Sequence, residues 1–298
     1  MSIFAKRKTL LQNMAFMALM AAINIIISVI SAFSPIASVI LVIFLPLTST
    51  LVELYCEDKY YPIYAIATFG LGIVATLWNM QTTFFTLLPS LLTGYIFGLF
   101  AKHKFQPFWS VLVSSLFQSL ITFAFIPLIN IIFDVDIIYT FKYAFGLTNS
   151  ASINTIIPAF ILAISFVQIA LSYLVVSFEI RKFDQEMNYE KDNYMLFGII
   201  GSVISFAILG LYFVSLAIAY VFLILSIYFT VYIVISFIND RMWRTLILSG
   251  VFVLLNIFIY ALAYSNMKEN SALLLLGVTP FCISALSLVV SFLKKKPE

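Results

Sequence analysis

Charged side chains are scarce in this chain of 298 residues, in which Asp, Glu, Lys and Arg together make up only 10%. Soluble domains carry roughly 25%. Hydrophobic residues make up 63% of the chain, and the mean hydropathy is +1.11. Because one water-soluble core cannot bury so much apolar surface, the lipid bilayer has to act as the solvent for most of the protein. The composition therefore predicts a polytopic membrane protein.

Residues that support metal and thiol chemistry are also few. The chain has two cysteines, Cys56 and Cys282, and a single histidine, His103. One histidine excludes an H-E-x-x-H motif and a multi-histidine zinc site. The cysteines fall in a predicted cytoplasmic turn and in the last apolar run, so we expect no disulfide. The sequence predicts no metal site and no other cofactor.

Nucleotide-binding and hydrolase motifs are missing as well. The chain has no G-x-x-x-x-G-K-[ST] P-loop and no G-x-S-x-G motif. Glu53 and Glu179 lie at predicted span ends and no charged residue occupies a predicted midplane, which disfavours a proton-coupled carrier and a channel with charged rings. A lipid-modifying enzyme is the weakest alternative, because Asp134 and Asp136 are the only nearby acid pair and face outwards. We expect no enzyme, and the net charge of +3 is too small to indicate nucleic-acid binding.

Apolar runs long enough to cross about 30 Å of hydrocarbon recur along the chain. They lie near 9–31, 35–53, 61–78, 82–101, 107–133, 152–179, 194–215, 217–238, 245–265 and 271–293. Between the seventh and eighth runs only Gly210 and Ser215 indicate a turn. The sequence thus predicts an all-α membrane protein with about ten transmembrane helices.

The basic residues predict the orientation of these spans. With the N-terminus in the cytoplasm, 14 of the 16 Lys and Arg residues fall on the cytoplasmic side, and only Lys142 and Lys268 fall outside. This is the asymmetry of the positive-inside rule. Both termini are therefore expected in the cytoplasm.

The polar segment 181–193 is the longest interruption between spans, and it predicts the domain boundary. We expect a six-helix unit at 1–182, a cytoplasmic linker at 183–193 and a four-helix extension with a basic tail at 194–298. The long outer loop at 133–152 carries apolar residues at helical spacing. It is equally compatible with an interfacial connector and with a lid over the outer mouth.

Neutral polar residues and one tryptophan concentrate towards the outer half of the first six spans, where they could line a small-molecule pocket. The candidate substrate-binding residues are Trp78, Asn79, Gln81, Asn130 and Asn154. The alternative is that such side chains hydrogen-bond neighbouring helices. For any single residue we favour that alternative.

Small residues form two further faces. Ala15, Ala18 and Ala22 fall on one side of the first helix, and Gly94 and Gly98 form a G-x-x-x-G pair on the fourth. Small residues allow helix backbones to approach closely in a membrane. Many membrane helices have such faces, so the pattern by itself indicates no particular function.

The first 180 residues resemble the S components, which are the substrate-binding membrane subunits of energy-coupling factor (ECF) vitamin transporters. The resemblance rests on the basic N-terminus, the alanine-rich first span, the proline at the start of the second span and the basic turn at Arg181 and Lys182. The segments FLPLTSTLVELYCEDKYYPIYAIATFGLGIVATLW and LLPSLLTGYIFGLFAKHKF are more similar to the longer, YybS-like branch of that group.

The resemblance implies that the alanine face of the first span docks against a transmembrane T subunit that carries two ATPases. Ala15, Ala18 and Ala22 would be the docking residues, ATP hydrolysis would be supplied in trans, and a vitamin-like organic molecule would bind from outside. The rival interpretation is a membrane scaffold or assembly protein that retains the S-component fold without transport. Both interpretations imply a multi-pass protein in contact with the lipids of a bacterial plasma membrane.

Overall fold

The computed structural model describes residues 9–33, 44–103, 105–144, 153–181, 194–264 and 273–295. Within these ranges 94% of the chain is helical and no residue forms a β-strand. The expected all-α polytopic membrane fold is confirmed.

The described helices follow the predicted spans closely. They are α1 (Leu10–Phe33), α2 (Leu45–Tyr55), α3 (Tyr61–Ala75), α4 (Met80–Lys102), α5 (Pro107–Phe133), α6 (Ile137–Ala144), α7 (Ile153–Arg181), α8 (Tyr194–Val214), α9 (Leu216–Asn239), α10 (Trp243–Tyr264) and α11 (Val278–Lys295). Short 3₁₀ turns precede α3, α4 and α11, at Asp58–Tyr60, Leu77–Asn79 and Leu273–Gly277.

Eight helical stretches of the described chain are long and apolar enough to cross a membrane. The other two predicted spans correspond to α2, with 11 residues, and α3, with 15 residues. Part of the predicted second span, 35–43, lies outside the described residues. The uncertain boundary near Ser215 is confirmed, because extended backbone at this residue (φ −159°, ψ 119°) separates α8 from α9.

The outer loop contains one helix, the eight-residue α6. Asp136 begins it by accepting a hydrogen bond from the backbone N–H of Tyr139 at 3.0 Å. A short polar acceptor before a helix is a common N-terminal cap. Residues 145–152 lie outside the described residues, so the choice between connector and lid stays open.

The chain forms two compact units. The first comprises Met1–Asn149 and Ile161–Tyr189, and the second comprises Ser150–Phe160 and Glu190–Glu298. The first turns of α7 therefore belong to the second unit. The domain boundaries expected from the polar segment stay a prediction.

Close packing of α2 against α4 organises the first unit. A Cβ at Gly98 would lie 2.5 Å from Cβ and 2.7 Å from Cγ of Glu53, and a Cβ at Gly94 would overlap Ser49. The G-x-x-x-G face of α4 is thus used inside the chain. Only glycine allows the two backbones to approach this closely.

The second unit packs on the same principle. Gly198 and Gly201 of α8 face Ser287 and Ser284 of α11, again with no space for a Cβ. An apolar cluster completes this core, formed by Ala159, Ile208, Ala219, Tyr220 and Leu223.

Candidate functional site

A stripe of polar side chains runs along the buried face of α1 in the first unit. Its members are Asn13, Asn24, Ser28 and Ser31, all at most 2% exposed. Their spacing follows the helical repeat, so one face of an otherwise apolar helix turns amide and hydroxyl groups into the unit. Polar groups buried in this way need hydrogen-bond partners.

The middle of this stripe contains a network that joins three helices. Asn24 of α1 donates from Nδ2 to the hydroxyl of Tyr64 on α3 at 2.9 Å, and Thr48 of α2 donates to Asn24 Oδ1 at 2.5 Å. All three residues are buried. Asn24 therefore uses both ends of its amide to hold α2 and α3 against α1.

Two hydroxyls near this network have no hydrogen-bond partner among the described residues. They belong to Ser28 and Ser31 of α1. Ser28 follows Asn24 by one helical turn, and on α3 Thr68 follows Tyr64 by one turn and interacts with its hydroxyl. The hydroxyls of Ser28 and Ser31 provide unused donors and acceptors beside the Asn24 network, the kind of groups that orient a ligand in an apolar site.

Asn13 has a structural role at the start of α1. Its side-chain amide donates to the carbonyl of Thr9 at 2.9 Å, and its Oδ1 accepts from the backbone N–H of Glu57 at 3.2 Å. The side chain thereby joins α1 to the turn between α2 and α3.

Of the predicted substrate residues, Trp78 and Asn79 lie in the turn between α3 and α4, and Gln81 lies in the first turn of α4. Trp78 is 57% exposed, and its ring contacts Phe33 at the end of α1, with 5.0 Å between centroids. Asn79 donates to the carbonyl of Ala32 at 3.0 Å and accepts from Thr82 at 2.7 Å. Gln81 is half-buried. Asn79 thus joins the end of α1 to the turn before α4, as expected if these polar side chains hydrogen-bond neighbouring helices.

The two other predicted residues lie elsewhere in the chain. Asn130 is half-buried in the last turn of α5, in the first unit. Asn154 is exposed in the first turn of α7, which belongs to the second unit. The assignment of all five residues to one pocket stays a prediction.

A second polar seam joins α5 to α7. The amide of Gln118 donates to Gln168, and the hydroxyl of Ser115 donates to the carbonyl of Ser165 at 3.4 Å. The hydroxyls of Ser114 and Ser172 are buried and have no partner in the described part of the chain. Both glutamines therefore serve first to hold helices together.

Comparison of the chain with known protein families, curated proteins and solved structures yields no match.

The alanine stripe lies on the opposite side of α1 from the polar stripe. Ala15, Ala18 and Ala22 are all exposed, whereas the neighbouring Met17 and Ala21 are buried. One face of α1 thus packs within the protein, and the other exposes the three alanines together with larger apolar side chains, Leu11, Leu19 and Ile26. Docking requires this exposure, and docking itself stays a prediction.

A charged cluster, which the sequence analysis did not single out, lies where α2 and α4 end. Lys102 pairs with the carboxylate of Asp58 and lies 3.6 Å from Oε1 of the buried Glu53. The hydrogen bond from Lys102 holds the pKa of Asp58 below its ordinary value. The sequence signal for this cluster was the G-x-x-x-G pair, because Gly98 brings α4 against Glu53.

The chemistry available to these sites is mainly hydrogen bonding. No group of three or more His, Cys, Asp or Glu that could hold a metal ion occurs among the described residues. One amide, one hydroxyl and one phenol form the Asn24 network, so its donors and acceptors are all neutral groups.

Proposed function

We propose that the protein is the substrate-binding membrane subunit of an ECF-type importer in a bacterial plasma membrane. T and ATPase subunits would supply the energy in trans. The observation that carries the proposal is the division of α1 into two faces. Asn24 and the other residues of the polar stripe are buried, and Ala15, Ala18 and Ala22 are exposed. An exposed small-residue face permits close approach by a helix of another chain.

The proposed cargo is a small, vitamin-like organic molecule without a large net charge. The Asn24 network and the unpaired hydroxyls of Ser28 and Ser31 support this choice, because neutral donors and acceptors recognise neutral polar groups. Trp78, Asn79, Gln81 and Asn130, all of the first unit, are kept as candidate contacts at the outer side.

Co-purification in mild detergent tests the proposal. The wild-type chain should carry a T subunit and two ATPases, and Ala18→Leu and Ala22→Leu should lose them. Ala67→Leu is the matched control, because Ala67 is also an exposed alanine of a first-unit helix, α3. Loss of the T subunit in the control alone, or its absence from the wild type, would refute the proposal.

The alternative function is a non-transporting scaffold or assembly protein. The second unit favours it, because α10 exposes large apolar side chains along most of its length, including Ile247, Leu254 and Phe258. Contiguous apolar surface of this kind is available to lipid or to a partner protein. Stable partners other than T and ATPase subunits, retained by Ala18→Leu, would support the scaffold.

A further inference from the structure

Glu53 is the least solvated carboxylate of the described chain. Its side chain is 0% exposed in the last turn of α2. Neither carboxylate oxygen has a described donor within ordinary hydrogen-bond geometry, and its charged neighbours are Asp58 and Lys102. A carboxylate without donors is expensive to bury in its ionised form, and it commonly avoids that cost by taking up a proton.

Among the described residues, the one cation near Glu53 is shared with a second carboxylate. Lys102 lies 3.6 Å from Glu53 Oε1, beyond hydrogen-bond distance, and is bonded directly to Asp58. One ammonium group therefore faces two carboxylates and contacts the more exposed one. Glu53 receives only part of the compensation that a buried charge needs.

The other groups that the structure describes around Glu53 do not supply a further positive charge. In the turn after α2, Glu57 is engaged with Lys59 at 2.6 Å. From α3, the hydroxyl of Tyr61 interacts electrostatically with Glu53 and donates its hydrogen bond to the carbonyl of Leu91. Helix α1 contains no ionisable side chain. The end of α2 also carries the negative pole of the helix dipole, which disfavours an anion.

We propose that Glu53 is a proton-binding site, neutral while Lys102 is paired with Asp58 and ionised when Lys102 moves to it. The proton is exchanged with water at the Asp58 side, where Lys102 is 23% and Asp58 52% exposed. Proton release leaves a carboxylate that attracts Lys102 across the α2–α4 contact. Proton binding at this site goes beyond the proposed transport function and does not depend on it.

Infrared spectroscopy of the purified full-length protein, titrated over a range of pH, tests the site. A protonated carboxylic acid has its own carbonyl stretching band, distinct from that of a carboxylate. As the pH is raised, the wild type should lose this band near neutral pH. An ordinary glutamic acid would lose it near its pKa of about 4.3. Glu53→Gln should abolish this band. Glu57→Gln, which removes an exposed carboxylate four residues away, should leave it unchanged.

In two further variants, the pH at which the carboxylic acid band disappears should shift in opposite directions. Lys102→Met removes the cation that favours the ionised form, so the band should persist to higher pH. Asp58→Asn releases Lys102 to pair with Glu53, so the band should vanish at lower pH. Each shift should be about one to three pH units, the usual effect of a neighbouring charge.

Some results of these measurements would overturn the proposal. A wild type without a carboxylic acid band near neutral pH, or a band that survives in Glu53→Gln, would exclude proton binding at Glu53. Shifts of the same sign in Lys102→Met and Asp58→Asn would exclude the exchange of Lys102. The two shift measurements are made on Glu53 itself, so they remain decisive if Glu53→Gln fails to fold.

Discussion

Asn24 illustrates how a single polar residue can specify helix packing where apolar contacts cannot. In lipid the surroundings of a helix are as apolar as its neighbours, so the hydrophobic effect contributes little to helix association. The amide of Asn24 instead bonds one partner on α2 and one on α3. Neighbouring Ser and Thr residues add polar groups at the same level of the unit.

We predict that Asn24 and Tyr64 are energetically coupled. Asn24→Ala leaves the buried Tyr64 hydroxyl without its donor, and the free energy of unfolding should fall by about 1–3 kcal/mol. In a double-mutant cycle with Tyr64→Phe, the coupling should be about 0.6 kcal/mol, the average for membrane hydrogen bonds. Thermal unfolding in detergent measures both quantities. Asn79, which bonds Ala32 two turns further along α1, is the control, and Asn24→Ala with Asn79→Ala should be additive. Additivity between Asn24 and Tyr64 would contradict the prediction.

We predict that replacing Gly98 even by alanine destabilises the protein. A Cβ at this position would overlap Glu53 and lie 3.3 Å from the carbonyl oxygen of Thr50, so α2 and α4 would have to separate. We expect Gly98→Ala to cost about 1–3 kcal/mol of stability. Gly70→Ala is the matched control, since nothing in the described structure lies within 4 Å of its Cβ. The control should gain up to about 1 kcal/mol from helix propensity. Equal melting temperatures for the two variants would show that the glycine contact is not tight.

At the scale of the element, two consecutive alanines of α1 lie in different environments. Ala21 is buried against the first unit, whereas Ala22 is exposed, although both are alanines in the same helical turn. The difference in environment follows from the 100° rotation between successive helical residues.

We predict that leucine substitutions separate these environments. Ala21→Leu should lower the free energy of unfolding by about 1–3 kcal/mol, because it overfills a packed site. Ala18→Leu and Ala22→Leu should leave it unchanged within about 0.5 kcal/mol, the usual range for surface substitutions. Thermal stability in detergent, without any partner, is the measurement. A marked loss in Ala18→Leu and Ala22→Leu would mean that the stripe packs within the protein, and docking would lose its main support.

At the scale of the whole molecule, the distribution of basic residues predicts the orientation. Single cysteines are introduced at Asn79, Asn149, Asn266 and Gln185, in a background with Cys56 and Cys282 replaced by alanine. A membrane-impermeant thiol reagent added outside intact cells should label the first three. It should not label the cysteine at Gln185, which belongs to the predicted cytoplasmic linker. Of these four positions, only Asn79 lies within the described residues. Labelling of the cysteine at Gln185 from outside would show that the predicted orientation is wrong.

The sequence alone determined the class of the protein and the positions of its helices. Membrane solvation depends on contiguous apolar runs, which are local, so the helices appear where the runs predicted them. Even the break at Ser215 followed from a weak turn signal. The small residues of α1 and α4 were also visible as patterns, and helical geometry placed each set on one face.

Only the tertiary structure decided what those faces do. Asn24 and Tyr64 are separated by 40 positions, and Glu53 and Lys102 meet only because Gly98 lets α4 approach α2. The sequence shows that one side of α1 carries Asn and Ser residues and another carries alanines, but only the contacts with α2 and α3 show which side packs within the unit. The distinction comes from pairing between helices, which depends on long-range contacts that no local pattern encodes.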